Sequence, residues 1–287
     1  MISKNQIKYI RQLELKKYRK REGVFVAEGP KVVGDLLRRY QPVAIYATEE
    51  WIKETGVRSQ ESGVRRQELG VRRQETGDRS QETGDRSLVT EITDDELHRI
   101  SFLQHPQQVL ALFPIPTGQW SARPEAACNQ RDARMINGQS LSLALDGVQD
   151  PGNLGTIIRI ADWFGIDTIY CSEDTADAYN PKVVQATMGS IARVNIIYID
   201  LNTLFDNLPP AFPIYGTLLD GEDIYQQPLS NEGIIVMGNE GNGISEAIRQ
   251  RINHRLLIPP FREGDTAESL NVAIATAITC SEFRRRK

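Results

Sequence analysis

The sequence predicts an α/β protein, with a C-terminal parallel sheet covered by helices on both faces and a smaller α/β unit before it. Three observations carry this. From Leu141 onward, short apolar stretches alternate with amphipathic helical ones, the pattern of strand-helix units in a parallel sheet. Residues 1–115 hold a second, shorter alternation. The length of 287 residues, 40% hydrophobic and 25% charged, suits two compact domains of a globular chain.

The first unit opens with a basic helix over 5–20, then a strand at 24–27 and a helix at 31–39. Strands fit 42–48 and 88–92, where β-branched and aromatic residues cluster. A polar helical stretch follows the first of these and a helix at 94–100 the second. A last strand at 108–113 completes the unit. Between the two middle strands, residues 55–87 repeat every seven residues: TGVRSQE, SGVRRQE, LGVRRQE, TGDRSQE, TGDRS. A coiled coil needs two apolar seam positions per heptad, and these units hold at most a Val and an occasional Leu. Each also has a glycine, which weakens a helix by about 1 kcal/mol. The tract is therefore expected to be a disordered or frayed insertion in a surface loop. Residues 117–140 are polar and aperiodic and read as a linker between domains at 1–116 and 141–287.

In the second unit, strands fit 142–145, 168–171, 194–198, 213–218, 234–237 and 255–258. Helices fit 154–164, 181–191, 245–251 and 268–285. Ligands of such sheets sit beyond the carboxyl ends of the strands, in loops leading into helices.

Composition removes several classes of function. No apolar run approaches the roughly 18 residues of a membrane-spanning helix. The basic N-terminus lacks the apolar core of a secretory signal, so the cytoplasm is the expected compartment. Cys128, Cys171 and Cys280 are odd in number and far apart, which excludes a disulfide framework and a Cys-rich zinc site. His98, His105 and His254 show no metal-ligand spacing. The net charge of −4 hides an asymmetry: residues 1–39 carry a surplus of +7, residues 141–287 a deficit of 8. The basic part suits a polyanion, and equally a solvated amphipathic helix.

Three strand-to-helix loops hold the unusual residues. The first is Asp146-Gly147-Val148-Gln149-Asp150-Pro151-Gly152-Asn153, where Asn153 has the character of an N-cap. Arg159 follows on the helix; it fits a surface arginine, or a guanidinium aimed at a phosphate or carboxylate. The second is Gly238-Asn239-Glu240-Gly241-Asn242-Gly243. Its glycine spacing is not that of the dinucleotide fingerprint and no Walker lysine follows, which opposes a nucleotide-binding enzyme. Glu240, among free amides, is a helix-terminus charge partner or a polar contact in a site. The third runs from Ile258-Pro259-Pro260-Phe261 to Glu268-Ser269-Leu270-Asn271-Val272, where Ser269 and Asn271 are caps or hydrogen-bonding site groups.

Together these loops resemble the three motifs of the SpoU (TrmH-like) branch of the SPOUT RNA 2′-O-ribose methyltransferases. Asn153 and Arg159 carry the first motif, Gly238 and Glu240 the second, and Ser269-Leu270-Asn271-Val272 the third. Phe25-Val26-Ala27-Glu28-Gly29, followed by Lys31, is similar to the start of the family's ribosomal-protein-L30e-like substrate-binding domain. The third motif departs from the family in having Pro260 where a Met is usual, and in a loop about three residues longer.

The resemblance implies transfer of a methyl group from S-adenosylmethionine to a ribose 2′-hydroxyl. It also implies a deep trefoil knot at the cofactor site and a homodimer with the site at its interface. Gly238, Ile258 and Leu270 are then the cofactor contacts, and Asn153, Arg159, Glu240, Ser269 and Asn271 the catalytic group. A guanidinium stays protonated, so Arg159 is better suited to clamping a phosphate and stabilising developing negative charge than to taking a proton. Lys8, Arg11, Lys16, Lys17, Arg19, Lys20 and Arg21 on the basic helix are the expected RNA contacts. No metal is expected. Ribosomal RNA is the favoured substrate, with transfer RNA, or a non-catalytic RNA-binding or ribosome-assembly role, as the alternatives.

Overall fold

The computed structural model describes residues 1–56, 88–116, 140–262 and 267–285. Nearly all of the repeat tract and the linker, residues 57–87 and 117–139, lie outside the described residues.

The chain begins with α1 (Lys4–Gln12), closed by a capping box in which Ser3 accepts from the Gln6 amide and the Gln6 side chain from that of Ser3. The single helix expected over 5–20 is in fact two, α1 and α2 (Lys16–Glu22). The Leu13 and Glu14 carbonyls explain the break. A continuous helix would offer them to amides one turn on; here both accept from the Arg19 guanidinium at 2.6 Å. Gly23, at φ +66°, ends α2 in the left-handed region.

The remainder of the first unit is β1 (Val24–Glu28), α3 (Pro30–Leu37), β2 (Ala44–Ala47), α4 (Glu49–Thr55), β3 (Val89–Glu91), α5 (Asp94–Ile100) and β4 (Val109–Pro114). The strands form a sheet in the order β1-β4-β2-β3, parallel only between β2 and β3. Alternation along β1 divides its side chains between two cores. Phe25 and Ala27 join Val33 and Leu36 of α3, and Val24 and Val26 join Ile10 of α1 and Leu97 of α5.

The second unit contains β5 (Leu141–Asp146), α6 (Pro151–Trp163), β6 (Thr168–Cys171), α7 (Pro181–Ala186), β7 (Asn195–Tyr198) and α8 (Leu201–Asp206). It continues with β8 (Ile214–Asp223), β9 (Gly233–Gly238), α9 (Glu246–Arg249), β10 (His254–Leu257) and α10 (Val272–Arg285). The sheet order is β10-β8-β9-β5-β6-β7, and every neighbour is parallel. Helices cover both faces as expected. Leu143 and Leu145 of β5 share a core with Ile157 of α6, Val183 of α7 and Phe283 of α10, while Ala144 joins Leu204 of α8 and Ile248 of α9.

Several boundaries differ from the sequence reading, each for a local reason. α7 stops at Ala186 because Met188 (φ +51°) and Gly189 (φ +93°) turn the chain into a single 3-10 turn at Ser190–Ala192. α8, not anticipated from the sequence, is started by Asp200 accepting from the Thr203 amide. α10 begins at Val272 rather than 268, because Asn271 caps it. β8 runs on to Asp223 through a break in register: Arg255 of β10 lies opposite Gly216, but Leu256 lies opposite Glu222.

The two sheets are tied together through polar and apolar contacts. The rings of Phe25 and Tyr179 are 4.9 Å apart. Arg193 bridges Asp162 of α6 (2.7 Å) and Asp35 of α3 (3.4 Å). Arg19, only 2% exposed, binds Asp177 through Nε (3.2 Å) and Nη2. This corrects the expectation that Arg19 contacts RNA: its guanidinium is enclosed at the junction of the two sheets and offers nothing to a phosphate.

Candidate active site

The first loop, between β5 and α6, turns at Gly147 (φ +73°), whose amide donates to Ser172 Oγ at 2.8 Å. The helix is capped by Asp150, whose Oδ1 accepts from the Asn153 amide at 2.7 Å, with Pro151 in its first turn. The N-cap reading of Asn153 is thus corrected: Asp-Pro is the stronger start signal. Asn153 lies in the first turn, where its side chain is free to act elsewhere.

The second loop follows β9. Asn239 and Gly243 exchange two backbone hydrogen bonds of 2.8 and 2.9 Å, and Asn239 Oδ1 accepts from the Gly241 and Asn242 amides. Gly238 lies directly under this turn. A Cβ there would come within 2.6 Å of the Gly243 oxygen and closer still to the Ile244 nitrogen, so only glycine fits. The turn holds Glu240 over the first loop. Its carboxylate accepts from Asn153 Nδ2 (2.9 Å), the Gln149 amide (3.3 Å) and the Asp150 amide (3.4 Å).

The third loop joins through Asn271. Its Oδ1 accepts from the Ala273 and Ile274 amides, capping α10, and its Nδ2 donates to Asn153 Oδ1 at 2.9 Å. Glu240, Asn153 and Asn271 therefore form one hydrogen-bonded chain across three loops that are far apart in sequence. Asn153, donating to one partner and accepting from the other, holds the other two in register.

Beside this junction is a cleft of about 510 Å³. Gly238, Glu240, Ile258, Ser269 and Leu270 all line it, together with Thr217 to Asp220 from the irregular part of β8. Its walls are apolar at Leu256, Leu257 and Ile258, and its charged lining among the described residues is Asp220, Glu240, Glu268 and Arg249. Such a mixture, mostly apolar with a few convergent polar groups, suits an organic ligand with charged ends.

Arg159 is not on this lining. It stands exposed on α6, and among the described residues has no hydrogen-bond or ion-pair partner. On the basic helices, Lys8, Arg11, Lys17, Lys20 and Arg21 are exposed and Lys16 is half-buried, its Nζ 5.8 Å from the centre of the Tyr198 ring. Arg11 lies over the Phe102 ring at 4.9 Å, and Arg21 over Tyr18 at 4.8 Å. Residues the sequence reading passed over are Asn239 and the segment Thr217–Asp220. An Asn opening a glycine loop is a turn signal that could have marked the first. Gly221 inside the strand is the local signal that could have marked the second.

Residues 140–281 match the SpoU rRNA Methylase family, and residues 4–111 match the MRM3-like substrate binding domain. RlmP of Bacillus subtilis (strain 168), a 23S rRNA (guanosine(2553)-2′-O)-methyltransferase, is 32% identical over 195 residues, which span 67% of this chain and 71% of that protein. The chain belongs to the SpoU methylase family. Another relative, the 23S rRNA (guanosine-2′-O-)-methyltransferase RlmB of Neisseria meningitidis, is 33% identical over 51% of this chain and 59% of its own length. Among solved structures, a TrmH-family protein from Porphyromonas gingivalis superposes with a TM-score of 0.77 at 38% identity, over the whole of both chains. An AdoMet-bound rRNA methyltransferase from Sinorhizobium meliloti gives 0.77 at 27% identity, over 100% of this chain and 97% of that one. The SpoU match includes every residue of the Glu240-Asn153-Asn271 chain.

Proposed function

We propose that this protein transfers a methyl group from S-adenosylmethionine to a ribose 2′-hydroxyl of ribosomal RNA. The observation that carries the reading is the Glu240-Asn153-Asn271 chain, which brings three SpoU motif loops together at the edge of one cleft. The substrates of its SpoU relatives, named as 23S rRNA 2′-O-methyltransferases, support the choice of RNA.

The cleft lining fits the cofactor. Apolar walls at Ile258 and Leu270 suit an adenosine, the glycine turn from Gly238 offers backbone groups, and the Glu268 carboxylate suits a ligand that carries a sulfonium. Bound there, the cofactor supplies an electrophilic methyl group. This chain's residues do the rest. The Asn153-Glu240 pair fixes the loops, and Ser269, exposed at the rim, orients the ribose. Arg159 clamps a phosphate and stabilises negative charge developing on the 2′-oxygen, whose proton passes to solvent water.

Because Arg159 lies off its own chain's cleft, we assign it to the cleft of a partner subunit in a homodimer. The exposed apolar residues Trp163, one helical turn from Arg159 on α6, and Ile274 on α10 support such an interface. The division into domains at 1–116 and 141–287, the first L30e-like, is supported by the two sheets and the two family matches. A trefoil knot is supported by the path of the chain, which leaves edge strand β10 and returns to pack α10 on α6 and β9. Lys8, Arg11, Lys16, Lys17, Lys20 and Arg21 are the proposed RNA surface. A cytoplasmic location accords with a ribosomal substrate, and no helix among the described residues is long and apolar enough to cross a membrane.

The test is incubation with radiolabelled S-adenosylmethionine and, separately, ribosomal and transfer RNA from a strain lacking the gene. Label in alkali-resistant dinucleotides is expected, since a 2′-O-methyl group blocks cleavage at its own phosphate. Label found only on bases would refute the ribose reading, and label confined to transfer RNA would change the substrate class.

A further inference from the structure

We infer that Arg249 is the residue that binds the carboxylate of the cofactor, and that Asp220 holds it in reserve until the cofactor arrives. The inference rests on the cofactor reading above. Arg249 closes α9 and is the sole basic side chain on the cleft lining among the described residues. Asp220 reaches the same lining because β8 loops out of register with β10 between Gly216 and Glu222. Gly221 permits that path, since a Cβ there would strike the Leu256 backbone.

Asp220 Oδ2 accepts from two guanidinium groups, Nη2 of Arg249 and Nη1 of Arg255, the latter at 3.2 Å. The three side chains are 30–47% exposed, so neither pair is held tightly. This arrangement suits an exchange. If Arg249 turns to a ligand carboxylate, it trades one carboxylate for another, and Asp220 keeps Arg255. No charge is left stranded.

The charge pattern of the cleft points to the same ligand. S-adenosylmethionine carries a sulfonium, an ammonium and one carboxylate; besides Asp220, which Arg255 retains, the lining carries Glu240, Glu268 and one guanidinium. Glu240 is already engaged by three donors. Arg249 is the group left to meet the single negative charge.

The probe is a pair of ligands, S-adenosylmethionine and its decarboxylated analogue, which keeps the adenosine, sulfonium and amine. Calorimetric titration of the full chain with both is compared for wild type, Arg249→Gln, Arg249→Lys and Asp220→Asn. Arg249→Gln is expected to weaken S-adenosylmethionine about tenfold or more, the loss of a hydrogen bond to a charged group, and to leave the analogue within about twofold. Arg249→Lys should recover part of the loss. Asp220→Asn should bind S-adenosylmethionine as well as wild type or better, because it releases Arg249.

Equal losses for both ligands in Arg249→Gln would overturn the inference, as would no loss at all or a loss confined to RNA affinity. A loss in Asp220→Asn as large as in Arg249→Gln would make Asp220 a ligand contact and refute the exchange. Wild type binding neither ligand would instead overturn the cofactor reading itself.

Discussion

Replacing Arg19 by methionine tests whether the first unit is fixed to the second by a buried ion pair. The guanidinium is 2% exposed and its Asp177 partner's side chain 7%. Removing it leaves the Asp177 carboxylate with the Tyr179 amide, 3.0 Å from Oδ1, and takes a donor from the Leu13 and Glu14 carbonyls. Breaking a buried pair by deleting one partner costs about 3–5 kcal/mol, because a charge is left uncompensated out of water. Replacing both partners by apolar residues removes that penalty, so Arg19→Met with Asp177→Leu should recover most of the loss. Urea unfolding of the full chain, followed by circular dichroism, measures each difference. The slope of RNA affinity against salt should stay at its wild-type value in both variants, since an enclosed arginine releases no counterion. A destabilisation below about 1 kcal/mol in the single variant, the range of exposed pairs, would refute the argument. So would a salt slope lowered by about one, the signature of a lost phosphate contact.

Charge reversal at Lys16 and Lys17, by contrast, should weaken RNA binding and flatten its salt dependence; unchanged affinity in filter binding would make α2 a solvated face. Gly238→Ala should abolish cofactor binding by calorimetry, because its Cβ would overlap the Gly243 backbone, and near-normal binding would show that the turn can move. Burial pushes the Cys280 thiol up to about 12 and the Cys171 thiol higher still. Thiols raised in the folded state stabilise it in full below their ordinary value of 9.0 and lose that effect as pH rises above it. The melting temperature should therefore fall above about pH 9, less steeply in Cys280→Ala, and an identical slope would remove Cys280 as a cause. Excising residues 57–87 should leave the melting temperature and methyl transfer nearly unchanged, and a large fall in either would give the repeat tract a role.

The site was legible to the extent that its chemistry is local. Gly238, Glu240, Ser269 and Asn271 stand out because glycines, caps and a lone carboxylate at strand ends are unusual in short windows of sequence; Leu270 enters only through the family resemblance. From the residues alone Asn153 fits a cap, and only the family resemblance puts it in the catalytic group; the fold shows that Glu240 and Asn271, arriving from 87 and 118 residues away, are the partners of its amide. Arg19 misled for a similar reason. On a basic helix it has the pattern of its neighbours, and nothing within the helix indicates that Asp177, 158 residues on, closes over it.

By itself the sequence determined the strand-helix alternation of both units, because hydrophobic periodicity follows from how each residue partitions between core and water. It also determined which loops hold the motif residues and that the chain's basic surplus lies at one end. Only the tertiary structure decided which polar groups meet. It turned Arg19 from a surface contact into a buried tie, joined three loops through one asparagine, set Arg159 outside the cleft, and brought Asp220 to the cleft through a slip in strand register. Those outcomes depend on contacts between residues distant in the chain, which burial selects and local pattern cannot encode.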